Sequence, residues 1–170
     1  MTSPRIDVHH HIVPPAYLSV VRGLARFHIK SWSPAESLED MDRSGVTTAM
    51  TTVTVPGFRF GDVEQTRRLV RLCNDYGARL THDHPGRFGL FAALPLPDID
   101  GSLAEIAYAL DELKAEGIGL FTNYGTTWIG DPAYDAVFSE LNRRRAVVYV
   151  HPDAPDCCKN IGMQIGRAHV

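Results

Sequence analysis

Asp7-Val8-His9-His10-His11 decides how this chain is read. It follows Ile6 and runs into Ile12-Val13-Pro14-Pro15, the pattern of an opening β-strand closed by prolines. Side chains alternate faces along a strand, which predicts His9 and His11 on one side, Asp7 one step deeper on that side, and His10 on the other. A first-row divalent cation takes neutral imidazole nitrogen at about 2.0–2.1 Å, and a strand end offers two such nitrogens with little left to order. Adjacent histidines also occur as exposed polar clusters or tag remnants. An aspartate at this spacing inside a strand pattern favours the metal reading.

Outward from that stretch, helices and strands alternate. Tyr17 to Ile29 reads as a short helix and loop. Ser33-Pro34-Ala35-Glu36 combines an N-cap, a proline at the first helical position and a capping-box glutamate, with Gly45 as the stop, and predicts a helix over 34–44. The β-branched run Thr47 to Val55 reads as the second strand. Asp62 then caps a long helix whose buried face is Leu69, Leu72, Cys73, Tyr76 and Leu80, ended by Pro85-Gly86. Phe88 to Leu94 is almost wholly apolar, as in a strand covered on both faces.

The unit then repeats. Ser102-Leu103-Ala104-Glu105 reads as a second capping box, with Leu103, Ile106, Leu110 and Leu113 as the stripe and Gly117 as the stop. Ile118 to Thr122 is the fourth strand. Asp131-Pro132 opens a helix that turns Tyr134, Val137, Phe138 and Leu141 inward and ends in Arg143-Arg144-Arg145, where positive charge suits the carbonyl end. Ala146 to Val150 is the fifth strand and leads directly into His151-Pro152. Such alternation predicts an α/β fold with parallel pairing. A doubly wound sheet and an eight-fold barrel compete for it. No Gly-rich phosphate loop follows the first strand, and histidines at the C-terminal ends of strands one and five point to a barrel, where those ends share one mouth.

The 170 residues suffice for one domain with a core. The net charge of −3, with mixed signs, offers no basic face for nucleic acid. No stretch approaches the ~20 apolar residues of a membrane span, and the start lacks a signal core, so the chain reads as soluble and cytoplasmic. Cys73 reads as a buried small hydrophobe, and the adjacent Cys157 and Cys158 have poor spacing for zinc or for a disulfide framework.

The opening motif and His151 together resemble the amidohydrolase superfamily of metal-dependent (β/α)8 barrels. Three further stretches, Pro85-Gly86-Arg87-Phe88-Gly89-Leu90-Phe91-Ala92, Leu94-Pro95-Leu96-Pro97-Asp98 and Tyr149-Val150-His151-Pro152, resemble its decarboxylase branch, the aminocarboxymuconate-semialdehyde, 6-methylsalicylate and γ-resorcylate decarboxylases. The resemblance implies His9, His11 and His151 as metal ligands, and a carboxy-lyase acting without oxygen, flavin or nicotinamide on a small aromatic or unsaturated carboxylate. Two-metal members carry a lysine at the end of strand four. Here that strand ends Leu120-Phe121-Thr122-Asn123, so one divalent ion is expected, zinc ahead of manganese, although three imidazoles suit either. Family members also carry a histidine after strand six and an aspartate after strand eight, for which this chain has no counterpart.

Residues 1–160 therefore read as the first five βα units of an incomplete barrel, and 161–170 as a tail. Its last six residues, Ile165-Gly166-Arg167-Ala168-His169-Val170, resemble one frame of a common sequencing adapter. Arg59, in the loop after strand two, is a candidate for a bidentate grip on an anionic substrate, with a solvated loop arginine as the alternative. Trp128 and Trp32 are candidate aromatic walls or rim packing residues. Asp7 is expected to orient a ligand or bond backbone rather than bind metal. Two other functions compete: hydrolysis of a lactone, amide or ester at the same metal, and an inactive fragment of poor solubility, with Phe91, Val148 and Val150 facing inward without partners. Homo-oligomer formation is left open.

Overall fold

The computed structural model describes residues 4–23, 29, 31–58 and 61–153. The readings for Arg59, Cys157, Cys158 and the tail fall outside these residues. Five strands, β1 (Ile6–Ile12), β2 (Thr48–Val53), β3 (Phe88–Ala93), β4 (Gly117–Phe121) and β7 (Val148–His151), form one sheet in the order β1-β2-β3-β4-β7. Every pairing in it is parallel. The crossovers carry α1 (Pro15–Val21) and α2 (Pro34–Ser44), then α3 (Val63–Asp83), then α4 (Ile99–Ala107) continued by a π turn over Tyr108–Glu112. Before the last strand come a hairpin, β5 (Asn123–Tyr124) with β6 (Thr127–Trp128), a 3-10 turn over Pro132–Tyr134, and α5 (Asp135–Arg143).

Local chemistry accounts for most of these boundaries. Ser33 accepts the Glu36 N–H and donates its hydroxyl to the Glu36 carboxylate, Pro34 opens α2, and Gly45 closes it at φ +68°. Asp62 accepts from Gln65 N–H at the start of α3. The α4 expectation needs correction: its N-cap is Asp98, which accepts from Gly101 N–H, not Ser102. Asp98 also takes the guanidinium of Arg67, with one contact of 2.9 Å, and the Arg67 bonds hold its carboxyl below the usual range. Ser102 and Glu105 are instead buried inside the helix. Gly117 begins β4; the preceding helical segment ends near Lys114, at φ +56°.

One face of the sheet packs on the helices. Leu90, Ala92, Ile118 and Leu120 meet Ile106, Ala109, Val137 and Leu141, while Ile12 and Ala49 meet Met41 and Leu80. Each large aliphatic side chain so buried contributes roughly 1.5–3 kcal/mol. A Cβ on Gly77 of α3 would lie 2.6 Å from Leu90 Cδ1, so glycine permits this close approach to β3. Leu72, expected on the buried face, is 44% exposed. Val148 packs with the helix-side core and not toward the barrel axis, and its i+2 neighbour Val150 shares that outward face. Tyr149 and His151 point to the other face, where Phe91 stacks on Tyr149 at 5.4 Å between ring centroids.

The sheet curls strongly. Four strand spacings of ~4.8 Å would separate the edges of a flat sheet by about 19 Å. Yet His9 on β1 and His151 on β7, the two edge strands, have ring centroids 4.9 Å apart. Glycine on β4 belongs to the same inner surface: a Cβ on Gly119 would fall 2.8 Å from Thr52 Oγ1.

Candidate metal centre

His9, His11 and His151 meet at the C-terminal ends of β1 and β7, with one nitrogen of each within 4.8 Å of the others. The ring centroids form a near-equilateral triangle of 4.8, 4.9 and 4.9 Å. His11 Nε2 lies 3.0 Å from His9 Nε2 and 3.1 Å from His151 Nε2. An imidazole nitrogen carries either one N–H or one in-plane lone pair, so at most one of these two contacts is a well-formed hydrogen bond. Nitrogens held by a tetrahedral ion at ~2.0–2.1 Å stand about 3.3 Å apart, and the observed spacings are close to that edge. The donor set therefore fits a cation better than it fits itself.

The surroundings favour neutral rings. Burial, then the neighbouring His151 and His9, lower the His11 pKa to about 4. Burial also lowers that of His151. His151 Nδ1–H donates to the Pro152 carbonyl at 2.7 Å, and since a carbonyl only accepts, this neutral ring keeps its Nε2 lone pair free. Thr122 holds both sides of this segment: its N–H donates to His151 O at 3.0 Å, and its hydroxyl accepts from Asp153 N–H at 3.0 Å. His11 Nδ1 is buried beside the main chain of Thr52, short of hydrogen-bond geometry.

Asp7 stands elsewhere than simple alternation predicts. The β1 register against β2 slips between Asp7 and His10, and this bulge breaks the alternation. The Asp7 carboxylate accepts from His10 Nδ1 at 3.1 Å and from the His9 main-chain N–H at 2.9 Å. Trp128 is on β6, 48% exposed. Trp32 packs edge-on to Tyr76 and Phe88 in the helix layer. Among the described residues no other group of three or more His, Cys, Asp or Glu side chains converges in this way.

Sequence reading passes over the rings around the triad. Phe121 lies 5.6 Å from His151, and Tyr149 lies 5.7 Å from His9, centroid to centroid. Two-residue spacing from His151 is a signal for Tyr149. The partners Thr122 and Pro152 O have none, because they depend on tertiary register.

A profile of the amidohydrolase family matches residues 6–164. A decarboxylase of Penicillium terrestre is 40% identical over 158 residues, 87% of this chain and 47% of the relative. The 6-methylsalicylic acid decarboxylase of Aspergillus aculeatus is 37% identical over 159 residues, 89% of this chain and 48% of its own. The crystal structure of a 5-carboxyvanillate decarboxylase from Novosphingobium aromaticivorans, complexed with manganese and 4-hydroxy-3-methoxy-5-nitrobenzoic acid, matches with a TM-score of 0.81 at 22% identity. That match covers 91% of this chain and 52% of the neighbour, and it shows the fold. The chain thus spans about half the length of the curated relatives it matches. With its curled parallel sheet forming part of a (β/α)8 barrel and its profile match running almost end to end, the chain belongs to the amidohydrolase family.

Proposed function

We propose that this chain carries the cation-holding strands of a divalent-metal-dependent, non-oxidative decarboxylase of a small aromatic or unsaturated carboxylic acid. The observation that carries it is the convergence of His9, His11 and His151 from the two edge strands of a curled sheet. The decarboxylases among the relatives support the choice of reaction. Metal-dependent hydrolysis is the competing chemistry, and no feature of the described site favours it.

A cation bound there supplies Lewis-acid stabilisation of anionic oxygen. The chain's own residues supply the frame. Burial holds His11 neutral, and the Pro152 carbonyl selects the His151 tautomer that leaves Nε2 free. Phe121 and Tyr149 place aromatic rings beside the His151 and His9 imidazoles. Trp128, exposed on the hairpin that follows β4, is a wall for an aromatic substrate at the mouth. The reaction balances without an oxidant: the carbon–carboxylate bond breaks, its electron pair stays on the carbon, a proton is added there and carbon dioxide leaves.

One ion per chain is the proposed stoichiometry, with Phe121 paired in register with His151 where a second ligand would be needed. Three imidazole donors accept either zinc or manganese, and the manganese in the 5-carboxyvanillate decarboxylase leans toward the latter. Equilibrium dialysis of the full chain against manganese and against zinc tests the reading. One bound ion, lost in His151→Ala, is the expected result, and an intact chain that binds neither ion refutes it. The chemistry is tested by placing residues 6–153 into the matching segment of the Aspergillus aculeatus enzyme. Carbon dioxide release from 6-methylsalicylic acid is expected, with Trp128→Ala raising KM and leaving cation affinity unchanged. A soluble, cation-loaded chimera that opens a matched lactone and releases no carbon dioxide assigns hydrolysis instead.

A further inference from the structure

One polar chain ties the opening strand to a helix far along the sequence. The Asp7 carboxylate accepts from His10 Nδ1–H, and Ser37 Oγ–H donates to His10 Nε2, across 27 residues of sequence. Ser37, on α2, is 6% exposed and turns its hydroxyl to His10 of β1. The order of groups is that of a Ser-His-Asp nucleophile relay, but a hydroxyl enclosed in this way cannot reach a substrate, and a positional role remains.

Its place in the strand defines that role. From Asp7 to His10 β1 takes three steps while β2 takes two, from Ala49 to Thr51. The extra residue leaves main-chain groups outside the ladder, and Asp7 takes up one of them by accepting the His9 N–H at 2.9 Å. Asp7 thus holds His9 by its backbone and His10 by its ring, while Ser37 fixes the other end of that ring to α2. His10 sits between His9 and His11 in sequence, so any rotation of its main chain turns both neighbours.

We propose that Asp7 and Ser37, acting through His10, are positioning residues that hold the β1 bulge and so set the approach of His9 to His11 that a divalent cation reads. The proposal rests on the cation reading above. Ser37→Ala and Asp7→Asn are made in the full chain, with Ser33→Ala as a control that removes the α2 cap and leaves the His10 bonds untouched. Manganese affinity is measured by titration, and thermal unfolding is recorded without cation.

Both positioning variants are expected to weaken manganese binding by ~10–100-fold, as other supports of metal ligands do. Ser33→Ala is expected to unfold at lower temperature yet bind within twofold of the unsubstituted chain. Wild-type affinity in a folded Ser37→Ala or Asp7→Asn chain overturns the proposal, and so does an equal loss in Ser33→Ala, which makes the effect general loosening. If Ser37→Ala does not fold, the affinity of Asp7→Asn decides between the same two outcomes. An unsubstituted chain that binds no cation defeats the metal reading itself, a result distinct from binding that ignores Ser37.

Discussion

His11 bears the heaviest load of any single side chain, because both other imidazoles close on its Nε2. Its burial makes a proton there costly, so the ring is a lone-pair donor at neutral pH. His11→Ala is therefore expected to abolish cation binding at millimolar manganese, whereas His82→Ala, on the exposed end of α3, leaves it unchanged; dialysis reads both. Cys73 makes the opposite case. Burial pushes its thiol up to about 12, so at pH 8 only about one thiol in ten thousand is ionised. Alkylation mapped by mass spectrometry is expected to spare Cys73 in the native chain and modify it in urea. Strand alternation and strand ends suffice to find His9, His11 and His151 in the sequence. They misplace Asp7, because a bulge is a property of the pairing with β2 and leaves no mark in β1 alone.

Among the elements, β3 delivers the centre of the sheet, and its last residue is held by a buried network. Asn74 of α3 donates to Ala93 O at 3.0 Å, accepts from Ala93 N–H at 2.8 Å and donates to Glu105 at 2.8 Å. Arg71 pairs with the same Glu105 at 2.7 Å and lies over the Tyr108 ring at 3.5 Å, which joins α3, α4 and β3. Asn74→Ala leaves the two Ala93 main-chain groups and one Glu105 contact without their partner, and is expected to cost about 2–4 kcal/mol in urea unfolding. A loss under 1 kcal/mol would show that water replaces the amide. The alternation of strands and helices is legible from breakers and apolar runs. What misleads is competition between caps: Ser102-to-Glu105 has the right spacing, but Asp98 after Pro97 starts the helix earlier and commits Glu105 to the ion pair. The β5–β6 hairpin is two residues a side and has no apolar run to reveal it.

For the whole molecule, the curl that unites the imidazoles also leaves two edges. Among the described residues β1 and β7 each pair on one side only, and Ile6, Val8, Val147 and Val150 are exposed there or beside them. Apolar patterning alone turns Val150 toward the barrel axis; it faces outward, where no described helix covers it, because its neighbours Tyr149 and His151 take the inner side. Unpaired main-chain groups beside exposed β-branched side chains form a template for strand addition. Sedimentation velocity of the full chain is expected to give species larger than a monomer. Ile6→Lys with Val147→Lys puts charge at both edges and away from the imidazoles, and is expected to shift the chain toward monomer while cation affinity holds. A monodisperse monomer in the unsubstituted chain would mean that solvent satisfies these edges and that they are no template for strand addition.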